Sequence, residues 1–148
     1  MPYRQRSRKM RYRRLKEESG TAALEFAIIS PVFLFMIAGL LAYGIYFGAA
    51  HTVQQIAANS ARAALAGLDM AEREHLARTT AFASAGTNGL ILPDSMEVQV
   101  AAHEDEPTLI FVTVTYDASS LPIWNLGPPL PLPDKTIRSV SVIRAGGF

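Results

Sequence analysis

From Phe26 to Ala50 the chain carries no charged side chain, and after Glu25 the next charge is Arg62. A bilayer core needs roughly 20 apolar residues in helical form, so this 25-residue run is long enough to span one. Hydrocarbon offers backbone amides no water, so a lone segment there must satisfy them internally as a helix. Pro31 falls near the start of the run, where a lost hydrogen bond does least damage. A removable secretory signal has a core of only about 7–15 apolar residues. The small residues Gly48-Ala49-Ala50 follow a run too long for that reading.

Charge is divided sharply along the chain. Eight of the 14 Lys and Arg stand in the first 16 residues: Arg4, Arg6, Arg8, Lys9, Arg11, Arg13, Arg14 and Lys16. With Glu17 and Glu18, residues 1–20 carry about +6 and the remainder about −5, so the formal net charge of +1 describes neither part. Cationic loops stay on the cytoplasmic face, and Arg11, Arg13, Arg14 and Lys16, nearest the apolar run, are the topology determinants. The segment beyond the run is then periplasmic, in a single-pass inner-membrane arrangement with a cytoplasmic N-terminus. A basic cluster can also bind nucleic acid through phosphate contacts. With an apolar helix following directly, topology and anionic membrane lipid account for it better, and no nucleic acid is expected.

The expected fold class is α+β: a long N-terminal transmembrane helix continuing into the periplasm, a second short helix, and a small antiparallel sheet of about three strands. Three regions follow: residues 1–20, a basic leader irregular until near its end; residues 21–66, the membrane and extended helix; and residues 67–148, a small exported domain. Beyond the apolar run Val53, Ile56, Ala57, Ser60 and Ala64 keep helical spacing, and Gly67 is a stop. Asp69 with Glu72 reads as a capping box for the second helix, expected to reach about Ser84 and end at Gly86. Residues 96–102 alternate as a half-buried strand, 109–116 are dense in β-branched and aromatic residues, and 136–144 supply a third strand. The acidic stretch His103 to Pro107 links the first two. Five of the nine prolines lie between Leu121 and Pro133, which makes that stretch a loop. Trp124 within it is read as a plug for the small core rather than an exposed contact.

Gly20-Thr21-Ala22-Ala23-Leu24-Glu25-Phe26 sits between the leader and the run. A carboxylate at the mouth of a membrane helix is costly and suggests a function by default. The motif, the Ala27-Ile28-Ile29-Ser30-Pro31 continuation, and Ala57-Ala58-Asn59-Ser60-Ala61-Arg62-Ala63 further on resemble the TadE-like pilus assembly family. These are minor pilin-like subunits of the tight-adherence (Flp) branch of type IV pili. The resemblance is strong over residues 10–66 and holds only in outline beyond them.

It implies cleavage between Gly20 and Thr21 by a prepilin peptidase. It also implies an assembly role for Glu25, beside Phe26, pairing with an amine of another subunit. The implied partners are the major Flp-type pilin, other minor pilins, the inner-membrane assembly platform and membrane lipid. Thr21 departs from the apolar or alanine residue common at that place, which leaves N-terminal modification open. Type II secretion pseudopilins fit less well, because Phe26 and the early Pro31 follow the tight-adherence pattern.

Gly44 and Gly48 form a Gly-x-x-x-Gly spacing suited to close helix packing, though glycine is frequent in such helices anyway. His51, His75 and His103 lie apart, with no ligand partner at helical spacing, and the acids after His103 read as a solvated turn. There are no cysteines. The reading is therefore non-enzymatic, with no cofactor and no metal. Its rival is an uncleaved signal-anchor protein with a periplasmic binding domain.

Overall fold

The computed structural model describes residues 6–126 and 132–144, with side chains from Gly20 onward. Helix α1 spans Arg6–Ala64, α2 Met70–Asn88, and strands β1, β2 and β3 span Met96–Ala102, Leu109–Asp117 and Thr136–Arg144. The α+β expectation is borne out, as one antiparallel sheet in the order β1-β2-β3 beside two helices. The chain forms two compact units, Met1–Leu41 and Ala42–Phe148.

Among its described residues the first unit is helix alone. The sequence predicts an irregular leader, yet α1 begins at Arg6. Arg, Lys, Met, Leu and Glu are all strong helix formers, and no glycine or proline interrupts them before Gly20. A single interior glycine costs only about 1 kcal/mol, so Gly20 does not break the helix. From Gly20 to Leu41 every position is exposed except Ser30 and Gly39. Phe26 is 71% and Leu40 75% exposed. The Gly20–Ala64 segment is long and apolar enough to cross a membrane, with a mean hydropathy of 2.3 over its most apolar window.

The second unit holds the core. Ala42, Tyr46, Ala49, Val53, Ile56, Ala57, Ser60, Ala61 and Ala64 form the buried stripe of α1, at spacings of three and four that keep one face inward. Helix α2 contributes Ala77, Ala81 and Ala85, a stripe of small side chains that permits close approach. The inner face of the sheet supplies Val98, Ile110, Val112, Val114, Tyr116 and Ile137. Register explains the layering, since Val98 lies opposite Val114 and Met96 opposite Tyr116, which also pairs with Ile137. Central β2 takes neighbours on both sides, hence its dense β-branched sequence.

The corner between the helices is tightly built. α1 closes through amides of Leu65, Ala66 and Gly67 bonded three residues back, a tightened last turn. Asp69 caps α2 by accepting from the Glu72 amide at 2.8 Å, while the Glu72 carboxylate accepts from the Leu68 amide at 2.8 Å. The reciprocal half of the capping box therefore lands one residue earlier than the usual pattern. Arg73 Nε donates to the Gly67 carbonyl at 2.9 Å and closes the corner.

Two expectations are corrected here. Helix α2 does not stop at Gly86 but runs to Asn88, and Gly89 ends it with φ 68°. The stop requires the left-handed conformation, which glycine adopts without a Cβ penalty, and Gly89 is the residue that takes it. The proline-rich stretch is not wholly irregular, because Ala118–Ser120 and Pro122–Leu126 form 3-10 turns. Its residues 127–131 lie outside the described ones.

Candidate functional site

The residues singled out in the sequence fall on α1. Gly20, Thr21, Glu25 and Phe26 are exposed and helical. A Cβ at Gly20 would meet open space. Glu25 follows Thr21 by four residues, one helical turn on the same face. Among the described residues no hydrogen-bond or ion-pair partner of Glu25 is seen. Arg11, Arg13, Arg14 and Lys16 belong to the α1 backbone, and their side chains lie outside the described ones.

The two glycines of the packing motif differ. Gly44 is exposed with open space beside it, whereas a Cβ at Gly48 would stand 3.5 Å from Leu90 Cδ2 of the same chain. Gly48 thus faces α2's exit segment.

A second set of residues comes together around α1 between Tyr43 and Gly48. The Tyr46 hydroxyl donates to the Asp134 carbonyl at 3.0 Å, across 88 residues of sequence. The Phe47 ring lies 6.2 Å from Tyr43 and 6.1 Å from Tyr46, the latter edge-on. Next along the chain from Asp134, the Lys135 ammonium stands 5.5 Å over the ring of Trp124. Trp124 Nε1 donates to the Ala118 carbonyl at 2.6 Å, which pins the half-buried indole with one face on the core. Trp124 is therefore a plug with an exposed cationic lid. The sequence signal for this set was the aromatic density of Tyr43 to Phe47, but nothing local pointed to Asp134 or Lys135.

Past this level α1 turns polar. An open cleft of about 210 Å³ is lined by Thr52, Gln55, Ile56 and Asn59 of α1 and Ser84, Thr87 and Asn88 of α2. These lining groups offer hydrogen bonds. Nε2 of the lining residue Gln55 lies 2.9 Å from His51 Nε2. Among the described residues no group of three His, Cys, Asp or Glu is placed to hold a metal ion.

At one end of the sheet the Asp117 carboxylate accepts from the Ser119 hydroxyl and amide. These bonds, with help from the charge of Lys135, hold its pKa below the ordinary 3.8.

Residues 20–62 match the family model described as TadE-like protein. Neither a curated protein nor a solved structure matches the chain. The matched segment starts at Gly20, includes Glu25, and ends at Arg62, two residues before α1 does. The resemblance read from the N-terminal motif is thus borne out over that length: residues 20–62 are a TadE-like segment, of the kind found in pilus assembly proteins.

Proposed function

We propose that this chain is a minor pilin-like (pseudopilin) subunit that takes part in assembling a tight-adherence, Flp-type pilus or a related secretion apparatus. One observation carries the reading: a TadE-like segment begins at Gly20 and holds an exposed carboxylate, Glu25, five residues on, in a stretch of α1 that is exposed on nearly all sides. Exposed apolar side chains on such a helix belong against lipid or other apolar helices. A carboxylate among them is tolerated when it meets a cation.

A prepilin peptidase cutting after Gly20 supplies that cation. Cleavage creates an α-amine on Thr21, and the Glu25 of a neighbouring subunit pairs with it inside the helical bundle. A buried pair contributes less to stability than to register, because an unpaired partner is strongly penalised. Insertion therefore becomes directional. The neighbours are the major Flp-type pilin and other minor pilins, received at the inner-membrane platform. The basic residues Arg11, Arg13, Arg14 and Lys16 keep the N-terminus cytoplasmic and the 42–148 unit periplasmic. The TadE-like family is structural, and the role assigned is assembly, not catalysis.

The test is the N-terminal residue of the mature protein, read by intact mass from membranes containing an active prepilin peptidase. A start at Thr21 is expected. Gly20→Leu should leave an inserted, unprocessed precursor, and Glu25→Ala should be cleaved yet fail to assemble. An intact N-terminus beside active peptidase refutes processing and favours an uncleaved signal-anchor protein with a periplasmic binding domain.

A further inference from the structure

The apolar run Phe26 to Ala50 lies in two environments. Up to Leu41 it is exposed on nearly all sides, whereas from Ala42 onward α1 is packed into the second unit, with Ala42 5%, Tyr46 9% and Ala49 0% exposed. Lipid can surround only the first part. Gly20 to Leu41 is 22 residues, ~33 Å of helix, against a hydrocarbon thickness of ~30 Å.

Charge fixes the same level independently. Tyr46 is bonded to the Asp134 backbone, and Asp134 and Lys135 are both exposed charged residues. Neither charge is tolerated within hydrocarbon, so the apolar core of the bilayer must end before Tyr46.

The segments that meet α1 at this level, through Tyr46–Asp134 and Gly48–Leu90, carry a mixed set of side chains. Phe47 is 63%, Leu92 50% and Leu132 39% exposed. Leu92 follows Leu90, which faces Gly48, and Leu132 lies two residues before Asp134. Tyr43, Tyr46 and Trp124, with Lys135 above the indole, complete it. Aromatic rings with polar tips, isolated aliphatic side chains and the exposed charges of Asp134 and Lys135 suit a membrane–water interface. Ala42 to Phe47 rises ~7.5 Å, within the ~5–8 Å depth of a headgroup layer. The polar cleft begins at Thr52, beyond it.

We infer that this face rests on the headgroup layer of the leaflet that α1 leaves: Phe47, Leu92 and Leu132 dip among the lipids, and Lys135 meets their phosphates. The contact holds α1 at one depth. With Leu41 at the boundary, Glu25 lies ~24 Å further along the helix, within the hydrocarbon but ~6 Å from its far edge, and Gly20 reaches that edge. The inference rests on the membrane span of the proposed function, though not on processing.

The chain has no native cysteine, so single-cysteine variants can be spin-labelled cleanly. Met36→Cys, Leu92→Cys, Leu132→Cys and Leu65→Cys would each be reconstituted in phosphatidylcholine vesicles containing phosphatidylglycerol. Accessibility to oxygen and to a water-soluble nickel chelate would then be compared. Leu65, 47% exposed just past the far end of α1, is the water reference. Leu92 and Leu132 should show an oxygen-to-nickel ratio several-fold above Leu65 and below Met36. If they match Leu65 while Met36 stays in hydrocarbon, the lipid contact is refuted and the span stands. If labels at Leu92 or Leu132 are shielded from both probes with dipolar broadening, a second protein copy covers the face and the inference fails. Nickel access at Met36 as well would sink the span together with the inference.

Discussion

Gly67, Gly86 and Gly89 lie within 23 residues, and the same change to alanine should act on them in different directions. At Gly67 a Cβ would stand 2.6 Å from Arg73 Cγ, 2.7 Å from the Arg73 amide nitrogen and 2.9 Å from Arg73 Cα. Ordinary contact begins at 3.4 Å, so the neighbours must retreat by about 0.5–0.8 Å. Two of those atoms are backbone in the first turn of α2. They can move only by loosening the caps at Asp69 and Glu72 and the Arg73–Gly67 bond. Overpacking of this kind costs ~1–3 kcal/mol, and each weakened cap ~1 kcal/mol. Gly67 does not have positive φ, so alanine recovers about 0.4–1 kcal/mol through the unfolded chain. A net loss of ~2 kcal/mol remains.

Gly86, in a helix interior with open space, should gain ~1 kcal/mol on replacement by alanine. Gly89, at φ 68°, should lose ~1 kcal/mol. Urea unfolding of the full chain in detergent, followed through its single tryptophan, would read all three, with Gly86→Ala as the internal control. A Gly67→Ala midpoint at or above that of the parent would falsify the steric account of the corner.

Other expectations follow from single contacts. Tyr116 and Ser60 bury hydroxyl oxygens with no hydrogen-bond partner among the described residues, so Tyr116→Phe and Ser60→Ala should each raise stability by ~1 kcal/mol in the same urea assay, and a clear loss would mean the hydroxyls are satisfied. Trp124→Phe removes the bond to the Ala118 carbonyl and weakens the Lys135 contact; circular dichroism should record a loss of ~1–2 kcal/mol. Asp117 has a lowered pKa in the folded chain, so its contribution is present above the unfolded value near 3.8 and lost as pH falls below it. Asp117→Asn should therefore flatten the acid side of the stability profile and leave its slope near neutrality unchanged.

Much of this architecture is local in origin and was legible without coordinates. Strand β1 alternates, β3 runs over the predicted residues, and the Asp69 cap needs only residues three apart. The Gly20-to-Glu25 motif and the apolar run after it suffice for the TadE-like resemblance that the family match supports. Misreadings came where two local signals competed. Gly86 and Gly89 are both plausible stops, and backbone conformation chose the second. The leader is charged enough to read as irregular, yet its residues favour helix.

The sequence by itself determined that one helix is long and apolar enough to cross a bilayer, where its unusual carboxylate sits, and which segments make strands. Periodicity, charge and propensity act over a few residues, and a few residues suffice to show them. Only the tertiary structure decided where the apolar run passes from exposed to buried, and which side chains gather there. Ala42 looks like Ala38 in sequence, but the second unit covers it, and Tyr46 finds Asp134 across 88 residues. Such a contact leaves no local pattern, because its energy comes from surfaces that meet only after the chain has folded.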